Sequence, residues 1–544
     1  MFTPKPVFAA ASLAAAALLL TACTATSTTD EEPGLSLDLD NLATTTTPGT
    51  EPVDEVKWNL PYEPMSLDPI YGFNYAENTV TANLCESLLR LTPDLKTEPG
   101  LATSVSQPDD TTIVYTIREG VTFWNGNPLT AEDVAYSLGR QTGPDTTTYW
   151  SDYFLNVDSV TATGPYEVTV KMKQPDVLFT QAMGSAAGAI VEKAAAEADG
   201  EQFGTPNGNL QCTGPFSLTK WNSGKSIELA KNPSYWDSAL MPKVEKLSFS
   251  FIADESTAVN ALRTGDIDGQ YFYLPPAGLS QLQNSDTVAT AYGKSFVFWT
   301  LAPINAEGPL GDQKIREALS LAVDRTAIAK VVFQGVAIPA PTLVGPDAWG
   351  YGEDTFAKAY AKFGVEPDIE EAKQLVADAG SPKEPIVLAV QGSSAVHEQT
   401  ANLIQAAGQA IGLDVQTKVI PVEQFGNLYF DPKAREGLDG FFTTNYADFA
   451  DPLGVYSFFH TSNSHDYIGW DGADAEIEEA LATLDESKRA ELVATIQDKV
   501  TEGLPWIPLE YEPVTLVQNK RISSATASFA YLYAPWAATI GGVK

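Results

Sequence analysis

Hydrophobic and polar residues follow strand and helix periods through the first part of the chain. Thr112–Ile117 alternates between apolar and polar positions, which predicts a strand. Thr130, followed by Asp133 three residues later, predicts a capped helix start, and the helix should run to about Arg140. Alternation on both sides of a Gly-Pro turn predicts a hairpin between Val160 and Met172. This first part therefore predicts a mixture of strands and helices.

The same kind of pattern continues into the middle of the chain. Ser217–Leu229 and Val244–Ile252 predict further strands, because both segments are rich in residues that favour extended structure. Ala258–Leu262 has helical spacing, and Gly265 predicts the end of that helix. A strand is predicted over Phe296–Leu301, where a second block of elements begins.

Helical periods are most regular in this second block. The pattern over Asp312–Val332 predicts one long amphipathic helix with its apolar residues on one face. The pattern over Ile369–Ala379 predicts another helix, which Gly380 should end in the left-handed conformation.

The remaining elements alternate between strand and helix. A strand, a helix and a strand are spaced as in a right-handed parallel crossover, at Ile386–Val390, Glu398–Ala410 and Leu413–Val419. Two helices and a strand are predicted after them, at Ala475–Leu481, Ser487–Thr501 and Trp506–Leu509. The whole pattern predicts an α/β protein.

The N-terminus carries a different pattern. An apolar run from Val7 to Leu20 follows Lys5 and is too short to cross a bilayer, as in a secretory signal. Its end, Leu20-Thr21-Ala22-Cys23, resembles the bacterial lipobox, which implies that Cys23 carries diacylglycerol and becomes the first residue of the mature chain. The alternative is an ordinary secretory signal that contains a cysteine. Residues 24–54 are polar and predict a flexible tether.

Composition narrows the class of protein. A chain of 544 residues is too long for one core, which predicts two large lobes. The net charge of −37 argues against a nucleic-acid partner, because such proteins need a basic surface. A solvated acidic surface is the simplest interpretation of that charge.

Two cysteines remain if Cys23 is lipidated. Cys85 and Cys212 form an even pair, and in an oxidising compartment such a pair predicts a disulfide. Two buried free thiols are the alternative.

Five motifs, in order along the chain, resemble those of a known family. They lie at residues 115–134, 213–236, 261–268, 315–325 and 445–452. The chain is similar through them to the extracellular solute-binding proteins of family 5, the oligopeptide- and dipeptide-binding subunits of ABC importers. The resemblance implies a two-lobed α/β fold of the type II periplasmic-binding-protein kind, with a hinge, a ligand cleft and an extra subdomain in the first lobe. It also implies a permease and an ATPase as partners, and we expect a monomer without a cofactor or enzymatic activity.

Expected domain bounds follow from the pattern and the resemblance together. They are a signal peptide at 1–22, a lipid-anchored linker at 23–55, a first lobe at 56–295 with the extra subdomain at about 70–205, a second lobe at 296–504 and a return to the first lobe at 505–544.

The resemblance also implies a ligand site. Peptide-binding members hold the α-ammonium of the ligand with an aspartate, and the matching residue here is Asp448. Tyr446 and Phe449 flank it, Asn445 stands where the family has tryptophan, and Trp299 is a further candidate wall of the cleft. A carboxylate facing an ammonium in a dry cleft would form a charge-assisted hydrogen bond. The alternative is a structural role for Asp448, as a helix cap or in an ion pair with arginine or lysine.

Other functions stay open at this point. The same family includes binders of nickel complexes, haem, opines and oligosaccharides, and a peptide sensor would use the same binding chemistry. An anchored extracellular hydrolase is less favoured, because the chain has no Gly-x-Ser-x-Gly motif and His397-Glu398 lacks the second histidine of a zinc-protease motif.

Overall fold

The computed structural model of the chain describes residues 42–143, 148–272 and 276–544. The predicted signal peptide, Cys23 and most of the predicted linker lie outside the described residues. None of the helices in the described ranges combines the length and the apolar character needed to cross a membrane.

The strands confirm most of the sequence predictions. They are β1 (Val53–Leu60), β2 (Leu89–Leu91), β3 (Thr97–Pro99), β4 (Ala102–Asp109), β5 (Thr112–Ile117), β6 (Val157–Gly164), β7 (Glu167–Met172), β8 (Phe216–Asn222), β9 (Ser226–Lys231), β10 (Val244–Phe251), β11 (Gly269–Tyr271), β12 (Val288–Pro303), β13 (Ile338–Pro339), β14 (Ile386–Gln391), β15 (Val415–Ile420), β16 (Gly440–Tyr446), β17 (Ile507–Asn519), β18 (Ile522–Ser523) and β19 (Gly541–Gly542).

The described ranges contain sixteen α-helices, and one of them begins at the predicted cap. They are α1 (Tyr75–Thr81), α2 (Ala131–Gly139), α3 (Val177–Ala182), α4 (Lys193–Asp199), α5 (Glu255–Thr264), α6 (Pro276–Gln283), α7 (Gln313–Ala322), α8 (Arg325–Ala327), α9 (Glu353–Tyr360), α10 (Ile369–Asp378), α11 (Ala395–Ile411), α12 (Val422–Phe425), α13 (Asn427–Phe430), α14 (Pro452–Tyr456), α15 (Asp474–Ala482) and α16 (Glu486–Gly503). Thr130 and Asp133 form the predicted capping box of α2.

An 11-stranded mixed sheet joins the two blocks of the chain. Its strands follow the order β15-β14-β16-β12-β17-β11-β1-β10-β9-β8, with β13 beside β17. The long strands β12 and β17 are antiparallel, and their register shifts between Gly293 and Val297. The second-block strands β16, β14 and β15 lie beyond β12, while the first-block strands lie beyond β17, together with the short second-block strand β13. The two blocks are therefore connected through β12 and β17.

A separate antiparallel sheet of four strands, β4-β5-β7-β6, is formed within the first block. It includes the predicted strand Thr112–Ile117 and the predicted hairpin, which are both confirmed. The parallel pair β14 and β15 with α11 between them confirms the predicted crossover.

Several predicted bounds are wrong for identifiable reasons. Ser217–Leu229 is two strands, β8 and β9, because Gly224 turns the chain with a φ of +73°. The single helix predicted over Asp312–Val332 ends at Ala322, because Asp324 is extended and caps a new turn. The last predicted strand stopped at Leu509, but β17 continues to Asn519 with Glu510 buried in it.

The predicted linker at 23–55 also extends too far. Val53 already belongs to β1 and pairs with Val244 of β10. Ala43 forms a bridge with Gly293, and Glu51 forms one with Gly542. Residues 42–55 are therefore part of the folded body rather than of a tether.

A disulfide joins Cys85 to Cys212, as predicted. The neighbouring residues Glu86 and Thr213 are buried, and the Thr213 hydroxyl donates a hydrogen bond to the Glu86 carboxylate at 2.8 Å. The cross-link thus lies directly beside a buried polar contact of the first block.

Candidate functional site

Strand β16 ends at Tyr446, and the loop after it places Asp448 in the interior, where it is 2% exposed. The cap of the following helix, α14, is Asp451, whose carboxylate accepts a hydrogen bond from the Leu453 N–H at 3.0 Å. Asp448 is therefore buried without being a helix cap.

Two tyrosines from distant parts of the chain hold the Asp448 carboxylate. The Tyr153 hydroxyl donates to Oδ2 at 2.8 Å, and the Tyr533 hydroxyl donates to Oδ1 at 2.7 Å. Tyr153 lies in a short 3-10 helix, Tyr149–Phe154, of the first block, and Tyr533 lies near the C-terminus. Three separate segments of the chain meet at this carboxylate.

Burial dominates the electrostatics of Asp448. It raises the pKa of Asp448 from 3.8 to about 6, while the two tyrosine hydrogen bonds act in the opposite direction. Across the part of the chain that the structure describes, no arginine, lysine or histidine forms an ion pair with Asp448. The carboxylate therefore has neutral donors and no cation.

Aromatic rings surround this carboxylate. The Tyr446 ring lies 5.6 Å from the Tyr75 ring and 5.1 Å from the Phe529 ring. The Tyr153 ring lies 5.6 Å from the Phe449 ring. These rings exclude water from the carboxylate, which strengthens its interaction with any positive group that enters.

Contacts between the two blocks continue toward the surface. The Tyr446 hydroxyl donates to the Phe73 carbonyl oxygen of the first block. The Phe73 ring stacks on Tyr149 with ring centres 5.6 Å apart, and it meets the edge of Phe430 from the second block at 6.3 Å. Phe430 is exposed, so these rings form the rim of the aromatic cluster.

The structure brings together most of the residues that the sequence predicted. Tyr446 and Phe449 lie beside Asp448 in the aromatic cluster. Asn445 precedes Tyr446 on β16 and accepts a hydrogen bond from the Tyr446 N–H at 2.8 Å.

Trp299 lies elsewhere. It is 2% exposed, and its ring packs against Phe442, His397 and Phe333 at 5.9, 4.8 and 6.4 Å. The structure does not bring Trp299 to the Asp448 carboxylate.

Sequence reasoning missed Tyr153 and Tyr533, which donate to Asp448. They are 295 and 85 residues away from it along the chain, so no local spacing connects them. Tyr533 stands in the aromatic run Tyr531–Trp536, which was a signal for burial but not for this contact.

The arrangement suits the binding of a cation. A buried carboxylate with two neutral donors gains most from a positively charged partner. Within the described ranges, no group of three or more histidine, cysteine, aspartate or glutamate side chains is placed to hold a metal ion.

Comparison with known sequences identifies relatives over most of the chain. The sequence pattern of the bacterial extracellular solute-binding proteins, family 5 middle region, matches residues 96–466, which is more than half of the chain. The dipeptide-binding protein DppE of Bacillus subtilis strain 168 is 27% identical over 502 residues, which cover 87% of this chain and 90% of DppE.

Solved structures share the fold. The binding protein AgaA of A. tumefaciens R10, in complex with agropinic acid, superposes with a TM-score of 0.78 at 20% identity, covering 90% of this chain and 99% of AgaA. The ABC transporter-associated periplasmic binding protein DppA from Helicobacter pylori, in complex with the peptide STSA, superposes with a TM-score of 0.78 at 21% identity. That superposition covers 91% of this chain and 99% of DppA. The fold is therefore the two-lobed α/β fold of periplasmic binding proteins.

Proposed function

Because this chain belongs to the bacterial extracellular solute-binding proteins of family 5, we propose that it captures peptides outside the membrane for an ABC importer. In this proposal the ligand-loaded chain docks on a permease, and an ATPase on other chains supplies the energy. The proposal includes no catalytic activity, in line with the description of the family as solute-binding proteins.

The observation that carries the proposal is the buried Asp448 carboxylate, which has two tyrosine donors and no cation within the described ranges. An α-ammonium group would supply the missing positive charge and form short, charge-assisted hydrogen bonds. A ligand without a cation would leave the carboxylate unpaired in a dry site, which costs affinity. The relatives DppE and DppA, named for a dipeptide and solved with the peptide STSA, support peptides as the ligand class.

The site also supports closure of two lobes over the ligand. We propose a first lobe at 56–295 with an extra subdomain at about 70–205, a second lobe at 296–504 and a return to the first lobe at 505–544. Tyr153, Asp448 and Tyr533 then come from the first lobe, the second lobe and the returning segment. Strands β12 and β17 cross between the lobes and would bend as a hinge at the register shift.

The proposal also includes a lipid anchor at Cys23. Attachment of diacylglycerol to Cys23 would hold the monomeric chain at the outer face of the bacterial membrane. The family's extracellular location agrees with this arrangement.

Native mass spectrometry of the chain purified from its own host tests the proposal. Bound ligands are released under denaturing conditions and identified. Peptides that co-purify with the wild-type chain and are absent from Asp448→Ala would support it. A non-peptide solute released from the wild-type chain would contradict it.

A second solute class has one specific observation in its favour. AgaA, which was solved with agropinic acid, superposes as well as the peptide-bound DppA. The same experiment separates the two classes, because an opine and a peptide differ in mass and fragmentation.

A further inference from the structure

Two glutamates on β17 have carboxylate oxygens without partners. Glu510 is 0% exposed, and neither of its carboxylate oxygens accepts a hydrogen bond from the residues that the structure describes. Glu512 follows two residues later, and its buried Oε1 also has no partner. Buried polar groups in proteins are nearly always hydrogen-bonded, so two such residues side by side need an explanation.

Strand register places these glutamates on the same sheet face as a residue of the Asp448 cluster. Val297 of β12 lies opposite Tyr446 of β16 on one side and opposite Glu512 on the other. Residues in register across neighbouring strands project to one face. With neighbouring strands about 4.8 Å apart, the Cα atoms of Tyr446 and Glu512 are about 10 Å apart.

The next cross-strand pair on the same face also contains one of the two glutamates. Trp299 lies opposite Glu510, and its buried indole N–H has no acceptor in the described part of the chain. An unpartnered donor and an unpartnered carboxylate therefore stand next to each other on neighbouring strands. A ligand with both a cation and a carbonyl oxygen would supply partners for the two groups.

Arg325 is the positive group nearest to Glu510, but its hydrogen bonds go elsewhere. Its Nε donates to the Pro508 carbonyl oxygen at 2.9 Å, and its Nη atoms donate to the Ser320 carbonyl and hydroxyl oxygens at 2.9 and 2.8 Å. Over the described ranges of the chain, neither glutamate forms an ion pair. The charge of Arg325 acts on Glu510, whereas burial alone raises the pKa of Glu512.

A purely structural role does not account for this pair. Burial raises the pKa of Glu510 to about 9 and that of Glu512 to about 8, so both groups favour the protonated, neutral form when no ligand is bound. Buried carboxyl groups that only support a fold are as a rule hydrogen-bonded, and hydrophobic residues of similar size would serve a fold better.

We propose that Glu510 and Glu512 form an acidic subsite for a cationic side chain, lysine or arginine, of the peptide whose α-ammonium Asp448 holds. This inference rests on the proposed function. The subsite would make the chain selective for basic peptides, with Asp448 as the first anchor and the glutamates as the second. The long stems of lysine and arginine suit a charge placed away from the ligand backbone.

Calorimetric titration of the purified chain with matched peptide pairs tests this inference. Each pair consists of alanine-based di- and tripeptides that carry lysine or its uncharged analogue norleucine at one position. The lysine peptide should bind at least about tenfold more tightly at one or more positions, the scale of a hydrogen bond to a charged group. The double variant Glu510→Gln/Glu512→Gln should bind both members of each pair equally.

Two controls keep the result clear. Glu167→Gln changes an exposed glutamate of β7 and should leave the lysine preference intact. Glu512→Gln alone serves as the second variant, since Glu512 is less buried than Glu510, and it should reduce the preference without removing it. Thermal unfolding of each variant shows that it is folded.

The outcomes separate this inference from the proposed function. Equal binding of lysine and norleucine peptides at every position overturns the subsite and leaves peptide capture standing. A lysine preference that survives the double variant also overturns it. If no peptide binds at all, the subsite and the proposed function both fail.

Discussion

Glu86 and Asp448 are both buried carboxylates, but their surroundings differ in kind. Glu86 accepts hydrogen bonds from Thr213, Tyr235 and Trp236 at 2.8, 2.8 and 2.9 Å. It also forms an ion pair with Arg90 at 3.3 Å. The protein itself supplies both the hydrogen-bond donors and the cation that the buried Glu86 carboxylate needs.

Among the residues that the structure describes, Asp448 has two tyrosine donors and no cation. Both residues are almost fully buried, so burial alone does not distinguish them. The difference is the missing positive charge. A carboxylate with both donors and a cation stabilises the fold, whereas we propose that the carboxylate without a cation receives a charged ligand.

We expect the largest effect, on the free energy of unfolding, from a substitution at Glu86. Glu86→Ala should lower the free energy of unfolding by about 3–5 kcal/mol, because Arg90 and three donors lose a buried partner. Chemical denaturation measures this loss. Peptide affinity of the folded fraction should stay unchanged, and a selective loss of affinity with normal stability would contradict a structural role.

Removal of the nearby disulfide should act in the same direction. The double variant Cys85→Ala/Cys212→Ala opens a loop with a sequence separation of 127 residues. We expect a loss of about 2–4 kcal/mol in stability, because the unfolded chain gains freedom. Denaturation of oxidised wild type and variant provides the measurement, and identical midpoints would refute the expectation.

Asp448→Ala should have the opposite profile. Peptide affinity should fall by about 2–4 kcal/mol, because the ligand ammonium loses its buried partner. Stability should not fall by a similar amount, since an unpaired buried charge is removed. Calorimetric titration and denaturation of the same preparation measure both quantities. Unchanged affinity would remove Asp448 from the site.

Peptide affinity should also depend on pH through Asp448. Burial raises the pKa of Asp448 from 3.8 to about 6, so the carboxyl group of the empty protein is protonated below that pH. Because the complex needs both the carboxylate and the ligand ammonium, affinity should be highest between about pH 6 and the pKa of a peptide α-amino group at about 8, and it should fall about tenfold per pH unit below about 6. Titrations at several pH values measure this slope in wild type, and Asp448→Asn should lack it.

The Asp448 carboxyl group should also affect the free energy of unfolding, with the opposite dependence on pH. Its pKa is higher in the folded than in the unfolded chain, so its contribution is full below about pH 4 and is lost as the pH rises through about 6. The difference in stability between wild type and Asp448→Asn should therefore change across that window. A constant difference would show that the pKa of Asp448 is not raised.

The smallest expected effect comes from the tyrosines. Tyr153→Phe and Tyr533→Phe each remove one donor that favours the charged carboxylate, so the pKa of Asp448 should rise further. The decline in affinity should then begin at higher pH, with a loss of a few-fold at pH 8. A decline that moves to lower pH would show that the hydroxyls do not stabilise the carboxylate.

Local patterns were sufficient for much of the fold. The alternation over Thr112–Ile117 and the capping box at Thr130 and Asp133 both appear as predicted, because neighbours in sequence determine them. The break at Val323 was missed because Asp324 competes for the helix with a cap of its own. The full length of β17 was missed because Glu510 is charged yet buried.

Only part of the candidate site could be predicted from the sequence. Asp448, Tyr446 and Phe449 are close together along the chain and could be found through the motif that contains them. Tyr153 and Tyr533 approach Asp448 through tertiary folding alone, since the three residues come from distant segments. Whether a buried carboxylate has a cation beside it depends on such distant residues, and no local pattern contains that information.

Aromatic residues near the end of the chain pack against residues from its first half. The Trp536 ring lies 4.5 Å from the Trp58 ring of β1, and its indole N–H donates to the Thr79 carbonyl oxygen at 2.8 Å. Tyr531 stacks on Tyr271 of β11 with ring centres 3.9 Å apart. The interior around β1 and β11 therefore cannot be completed until the last aromatic residues of the chain have been synthesised.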